Sequence, residues 1–113
     1  MNQSFGKLLK DIRREKGISQ RDLADQVGVD FSYISKIEND RMPPPAADTI
    51  IKISNILGVS EEILLANSKK ISSDMSNAIS SSASAIKFMN QVKHMGLSDN
   101  EWESLTQSLK KLR

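Results

Sequence analysis

Four polar residues near the middle of the chain have the types and spacing of a surface that recognises another molecule through hydrogen bonds. Ser32, Ser35, Lys36 and Asn39 follow one another at intervals of three, one and three residues. In an α-helix this spacing places all four on one face. Their hydroxyl, ammonium and amide groups are of the kind that bind base edges and phosphates. The pattern therefore predicts a surface that binds nucleic acid.

This surface belongs to a segment of two short helices, residues 18–40, joined by a tight turn at Gly28. Ser19 can cap the first helix and Asp30 the second, because their side-chain oxygens can accept from free backbone N–H groups of the first turn. Two short helices with this turn form a helix-turn-helix, whose second helix usually lies in the DNA major groove. We expect double-stranded DNA to be the partner.

Three further helices are predicted around this segment. The first is capped by Ser4 and ends at Gly17, with apolar residues at a period of 3.6. Residues 43–45 are prolines and form an extended connector. A fourth helix runs from about Ala47 to Leu57, and Ser60 caps a short fifth helix. We therefore predict an all-α fold, with a five-helix DNA-binding domain at residues 1–66.

The remainder of the chain changes in composition. Eight of the eighteen residues from 67 to 84 are serine, which is typical of a flexible linker, although the apolar spacing also allows a polar helix. We favour a linker at 67–74 and a helix from about Met75 to Met95. Ser98 and Glu101 then form a capping box that begins the last helix.

Residues 75–113 are thus predicted to form a helical hairpin. A hairpin of about forty residues rarely buries enough apolar surface by itself, so we expect it to pair with a second copy in a homodimer. A different protein partner is the alternative. The candidate oligomerisation residues are Ile79, Ile86, Met89, Trp102, Leu105, Leu109 and Leu112.

Charge and composition restrict the function further. Residues 1–66 carry nine Lys or Arg against ten Asp or Glu, whereas residues 67–113 carry seven against four. DNA binding must therefore depend on the local arrangement of charges rather than on net charge. The absence of cysteine excludes disulfides and thiolate metal sites. There is neither a signal-peptide core nor an apolar run near the ~18 residues of a membrane span, so we expect a cytoplasmic protein associated with the nucleoid.

No catalytic set is present. His94 is the single histidine, and no carboxylate lies three or four residues from it. There is no glycine-rich phosphate loop and no cluster of metal-ligating residues. We predict that the protein is not an enzyme and needs no metal or cofactor.

Several short motifs extend the interpretation beyond one helix-turn-helix. They are Leu9-x-x-Ile12-Arg13, Gly17-Ile18-Ser19-Gln20-x-x-Leu23-Ala24, Gly28-Val29, Tyr33-Ile34-Ser35-x-Ile37-Glu38-Asn39 and Leu57-Gly58-Val59. In order and spacing, residues 5–65 resemble the phage-repressor or Cro-type helix-turn-helix family, also called the XRE family. The resemblance implies a five-helix repressor-like domain, helix 3 in the major groove, and dimers that bind two half-sites.

The resemblance also implies roles for individual residues. It implies that Gln20 contacts phosphate and supports helix 3, and that Arg13 and Glu38 form a largely buried ion pair that sets the angle of helix 3. Asp40 stands where the family usually has glycine in a left-handed turn. The predicted DNA-binding residues are Gln20, Arg21, Phe31, Ser32, Tyr33, Ser35, Lys36, Asn39 and Arg41, and Lys10 and Arg14 are further candidate phosphate contacts.

The chemistry of the base-facing residues leaves alternatives open. Lys36 can donate to guanine, and Phe31 can pack on a thymine methyl. Phe31 can instead belong to the core, and Lys36 and the serines can be solvated surface residues. The main functional hypothesis is a sequence-specific repressor acting as a dimer on a two-fold operator. The alternative is an antitoxin or anti-regulator whose C-terminal helices bind a partner protein, with DNA binding for autoregulation.

Overall fold

The computed structural model describes residues 3–113, and every regular element in that range is helical. The helices are α1 (Phe5–Glu15), α2 (Gln20–Val27), α3 (Phe31–Glu38), α4 (Ala47–Leu57), α5 (Glu61–Ser68), α6 (Ser73–Ser80), α7 (Ala83–Met95) and α8 (Asp99–Leu109), followed by a 3-10 turn at Lys110–Leu112. The predicted all-α class is confirmed. Within the described residues, no helix has the length and apolar character needed to cross a bilayer.

The chain divides after Met75 into two compact units. In the first unit, α1 to α5 surround one apolar core. The helices α1 to α4 contribute residues three or four positions apart, which lie on a single face, and α5 contributes the adjacent Leu64 and Leu65. Full burial of one such side chain contributes about 1.5–3 kcal/mol. The core consists of Phe5, Leu9, Leu23, Ala24, Val27, Ile34, Ile37, Ile50, Ile53, Leu57, Leu64 and Leu65.

Three of the four capping residues predicted in the first unit make the expected bond. The side chains of Ser4, Ser19 and Ser60 each accept a hydrogen bond from a first-turn backbone N–H, as predicted. Asp30 occupies the N-cap position of α3, but its carboxylate makes no capping bond. The predicted role of its side chain is wrong, because the Tyr33 N–H donates instead to the backbone carbonyl of Asp30, at 3.1 Å.

The single helix expected from Met75 to Met95 is also wrong. The structure has two helices, α6 and α7, with a break at Ser81 and Ser82. Ser82 leaves the helical conformation and accepts a hydrogen bond from the Ala85 N–H, at 3.2 Å. Serine competes with helical hydrogen bonding in this way, which explains the break in a serine run.

The segment at 67–74, predicted to be a linker, is partly helical and belongs to the first unit. The helix α5 continues to Ser68, and α6 begins at Ser73. The Asn67 side chain donates to the Gln3 carbonyl at 3.0 Å, and the Ser73 hydroxyl donates to Asp48 at 3.1 Å. These bonds extend the first unit beyond residue 66.

The second unit, Ser76–Arg113, buries very little. All of its residues are described, and Val92 is the one buried residue among them. The helix α8 has no buried residue, although Trp102, Leu105 and Leu109 lie on it. This unit therefore lacks a core of its own.

The start of α8 gives a testable pH dependence. The Ser98 N–H donates to Glu101 Oε1 at 3.0 Å, and the Glu101 N–H donates to Ser98 Oγ at 3.2 Å. The hydrogen bond from the Ser98 backbone N–H, with a further contribution from the Ser98 side chain, lowers the pKa of the Glu101 carboxyl from its usual value. A lowered pKa means that the stabilisation is complete above the unfolded-state pKa and is lost as pH falls through the folded-state value.

We expect the amide resonance of Ser98 to titrate in the acid range while the α8 N-terminus frays. In Glu101→Gln, whose amide oxygen can still complete a capping box, this titration should disappear. Proton–nitrogen NMR spectra recorded across acid pH make the measurement. An identical titration in the variant would contradict the assignment to Glu101.

Candidate nucleic-acid interface

A single turn at Gly28 connects the two helices of the predicted helix-turn-helix, and contacts in the core pack them against each other. Gly28 has a φ of 89° and terminates α2 in the left-handed conformation, which glycine adopts without strain. Leu23 of α2 and Ile34 of α3 are completely buried. The opposite face of α3 is open, since Phe31, Ser32 and Lys36 are exposed. The predicted recognition face is accessible.

A buried polar network sets the position of α3. Arg13 of α1 donates to the Glu38 carboxylate through Nε at 2.6 Å and through Nη2 at 2.9 Å. Arg13 Nη1 also donates to the Ile18 carbonyl at 2.8 Å. The hydrogen bonds to Glu38 raise the pKa of Arg13, with a smaller opposing effect of burial. Such a charge-assisted two-point contact fixes geometry as well as adding energy.

Gln20 links this network to the interface. Its side-chain amide donates to Glu38 Oε1 at 2.9 Å. An amide nitrogen has two N–H donors, so a second donor is available to a phosphate. The structure therefore brings Arg13, Gln20 and Glu38 into one cluster that spans α1, α2 and α3.

Beside the network lies a concave surface that we call the basic groove. It is lined by Lys10, Arg13, Arg14, Ser19, Gln20, Arg21, Phe31, Ser35 and Asn39. Within residues 3–113, Lys10, Arg14 and Arg21 take part in no ion pair. No acidic residue lines the groove, so the local charge is positive in a part of the chain whose net charge is slightly negative. An arrangement of this kind attracts phosphates.

Phe31 lies on the groove and outside the core. Its residue surface is 40% exposed, and the Arg21 guanidinium carbon lies 4.5 Å from its ring centroid. The alternative that Phe31 is a core residue does not describe this structure. Tyr33, by contrast, is half-buried and packs against the core.

The remaining predicted residues divide between two surfaces. Ser32 and Lys36 are exposed on α3 but do not line the groove. Arg41 lies at a separate hollow between the start of α1 and the loop after α3. Asn39 donates to the Ser35 carbonyl at 2.9 Å, which holds the end of α3 in place.

The turn after α3 contains the predicted departure from the family pattern. Asp40 has a φ of 59°, a left-handed conformation that suits glycine and is tolerated by aspartate. Its Oδ2 accepts from Ser4 Oγ at 3.1 Å. The carboxylate thus ties this turn to the N-terminus of α1, a favourable place for negative charge.

Gly6 contributes to the site and was not identified from the sequence. A Cβ atom at Gly6 would lie 2.2 Å from the Ile37 carbonyl oxygen and 2.9 Å from that of Glu38. The glycine therefore allows α1 to approach the end of α3 directly. A glycine inside a helical pattern indicates such a close approach, and that signal is present in the sequence.

The grooves of the second unit are lined mainly by apolar side chains. One groove is lined by Phe88, Val92, Met95, Leu97 and Leu105 with four polar residues, and another by Phe88, Trp102, Leu105, Thr106, Ser108, Leu109 and Leu112. Ile79, Ile86 and Met89, which were predicted to share this surface, line neither groove. At 3.6 residues per turn, Ile86 and Met89 lie about 160° and about 100° around α7 from Phe88, so neither shares the face of the helix that Phe88 occupies.

His94 is exposed. Among residues 3–113, no group of three or more His, Asp or Glu residues could hold a metal ion.

Comparison with known proteins identifies the first unit. The family model described as a helix-turn-helix domain matches residues 6–70, more than half of the chain. The HTH-type transcriptional regulator SinR of Bacillus licheniformis is 32% identical over 101 residues, which are 89% of this chain and 72% of that protein. The regulator ImmR of Bacillus subtilis is 35% identical over 77 residues, 66% of this chain and 60% of that protein. The chain thus spans less than two thirds of ImmR.

Solved structures extend the comparison. SinR, the master regulator for biofilm formation, in complex with DNA is 39% identical with a TM-score of 0.51, over 54% of this chain and 97% of that one. A SinR/SinI protein complex is 26% identical with a TM-score of 0.51, over 96% of this chain and 99% of that one. These regulators are not enzymes. The braced recognition helix, the basic groove and these relatives together show that the chain belongs to the XRE family of helix-turn-helix DNA-binding transcriptional regulators.

Proposed function

We propose that the protein is a sequence-specific repressor that binds a two-fold operator as a homodimer. The observation that carries this proposal is the exposed polar face of α3 beside the basic groove, held in place by the buried pair of Arg13 and Glu38. The SinR structure with DNA, similar over the first unit, supports it. Repression would follow from occupation of promoter DNA, in the cytoplasm at the nucleoid.

We assign the contacts as follows. Phe31, Ser32, Ser35 and Lys36 face base edges from α3, and Gln20 and Asn39 bind phosphates. Lys10, Arg14, Arg21 and Arg41 add further phosphate contacts. A dimer of such units binds half-sites separated by about one helical turn, ~34 Å.

The test is binding of the full chain to the DNA upstream of its own gene. We expect a footprint with two-fold symmetry, and a logarithm of affinity that falls by about 0.9 for each phosphate contact per unit of log salt. Equal affinity for a scrambled sequence of the same length would refute sequence-specific binding.

Lys36→Ala tests the recognition face. We expect an unchanged melting temperature, since Lys36 is exposed, and a loss of about 1–3 kcal/mol in operator binding, the value of one good base contact. Fluorescence anisotropy on operator and scrambled DNA makes the measurement. Lys93→Ala, which removes an exposed lysine from the second unit, is the control. Equal losses of operator affinity in the two variants would mean that Lys36 contributes only a nonspecific positive charge and no base contact.

We further propose that the second unit forms the dimer contact. Its support is the exposed apolar surface of α7 and α8 on a unit that buries Val92 alone. A contiguous apolar patch of this kind marks an interaction surface. Trp102, Leu105, Leu109 and Leu112 form one side of it.

Leu105→Asp is expected to convert the dimer to monomer, because Leu105 lines both apolar grooves and a buried unpaired carboxylate is costly. Light scattering coupled to size exclusion measures the mass. Gln107→Asp adds the same charge to the same helix away from the grooves and should remain dimeric. A chain ending at Met75, the limit of the first unit, should be monomeric, and a stable dimer of that fragment would contradict the assignment.

A second candidate function is binding of a different protein by the same helices. A SinR/SinI protein complex matches 96% of this chain, which favours a protein partner. Purification of the native protein distinguishes the two. A stoichiometric small partner supports this alternative, and a homodimer supports the first proposal.

A further inference from the structure

The two helices of the helix-turn-helix are linked on their exposed side by a cation–π contact. Arg21 is the second residue of α2, and Phe31 is the first residue of α3. The guanidinium carbon of Arg21 lies 4.5 Å from the centroid of the Phe31 ring, well within the range of a cation–π interaction. Both residues line the basic groove.

Neither side chain is committed to another partner. Within residues 3–113, Arg21 forms no ion pair, so its planar set of N–H donors remains available to an anion. Phe31 is 40% exposed and has no polar group. On a surface otherwise built from cations, hydroxyls and amides, its ring can offer only an apolar contact.

Duplex DNA presents a matching apolar group. In the major groove, the C5 methyl of thymine is the group that a hydrocarbon side chain can contact. An arginine stacked on the ring has already lost much of its rotamer freedom, which lowers the entropic cost of placing its guanidinium against a phosphate. A phosphate next to the thymine would therefore be bound by a preorganised donor.

We propose that Arg21 and Phe31 act as one unit that recognises a thymine together with its adjoining phosphate. The Phe31 ring packs on the thymine methyl, and the Arg21 guanidinium, held on the ring, binds the phosphate. This inference rests on the proposed function, and it adds one base of the operator and a coupling between two residues of different helices.

The test uses the full chain and an operator obtained by binding-site selection. Each thymine is replaced in turn by deoxyuridine, which lacks only the methyl group. Removal of the contacted methyl from one half-site should lower the affinity of the wild type about fourfold. Phe31→Ala should bind the thymine and deoxyuridine operators equally. Melting temperatures should fall only slightly, because both side chains are outside the core.

A double-mutant cycle tests the coupling. Arg21→Ala should reduce the salt slope by about one per half-site and also weaken the effect of the methyl group. The double variant should lose less than the product of the two single losses. Lys10→Ala is the matched control, because it also removes a groove cation but should be independent of Phe31 and leave the methyl effect intact.

The outcomes separate this proposal from the one on which it rests. If the wild type binds its operator selectively but the losses for Arg21→Ala and Phe31→Ala are independent, the paired recognition alone is overturned. The same holds if replacing each thymine by deoxyuridine leaves the affinity unchanged. Absence of sequence selectivity in the wild type overturns the proposed function as well.

Discussion

Glu38→Ala is expected to destabilise the first unit by about 3–5 kcal/mol, since it leaves the Arg13 guanidinium buried without its counter-charge. Arg13 and Glu38 are 7% and 5% exposed, and two hydrogen bonds join them. The variant also removes the acceptor for Gln20. In a domain of this size the melting temperature should fall by at least about 10 °C, which thermal circular dichroism measures.

Two companion variants identify the cause. Glu38→Gln keeps the size of the side chain and removes its charge, so an intermediate loss is expected. The double variant Arg13→Met with Glu38→Leu replaces the pair by apolar groups, a change that is often neutral or stabilising, and it should recover most of the stability. A Glu38→Ala protein that melts with the wild type would refute the structural role of the pair.

The same variants address recognition. Glu38 is the last residue of α3, and its carboxylate holds that helix to α1 and α2. We expect the apolar double variant to bind operator more weakly even after its stability is restored, because the directional contacts that orient α3 are gone. Full recovery of operator affinity would show that apolar packing alone sets the angle of α3.

Gly6→Ala is the second change with a large expected effect. The new methyl group would lie 2.2 Å from the Ile37 carbonyl oxygen and 2.9 Å from that of Glu38. Both neighbours are backbone atoms, so neither can rotate away, and α1 must move from α3. Overpacking of this kind costs about 1–3 kcal/mol, despite the better intrinsic helix propensity of alanine.

Glu15→Ala on the exposed end of α1 is the matched control and should leave the stability nearly unchanged. Chemical denaturation gives the free energies of unfolding for both variants. We also expect Gly6→Ala to weaken operator binding, since the displaced helix carries Arg13 and Lys10. Stability equal to wild type would mean that α1 and α3 separate at little cost.

Local signals account for most of the correct predictions in the first unit. Ser4, Ser19 and Ser60 cap their helices because a serine hydroxyl satisfies a backbone N–H within its own turn. The left-handed end of α4 at Gly58 follows from an equally local rule. Spacing of three and four residues also identified the apolar faces.

Predictions failed where two local signals competed. In the serine run, an apolar period favoured one continuous helix, whereas Ser82 favoured a new N-cap, and the cap prevailed. At Asp30 the side chain suited capping, but the backbone carbonyl accepted the bond. The competing local conformations differ little in free energy, and the outcome depends on neighbouring residues that lie outside the local sequence pattern.

The sequence by itself determined the all-α class, the helix-turn-helix and the residue types on its exposed face, because caps, turns and helical periodicity act within a few residues. Only the tertiary structure decided that Gly6 lies against α3, that Arg21 stacks on Phe31, and which residues form the basic groove. Those relations join residues of different helices, and they depend on packing distances and directions that no local pattern contains.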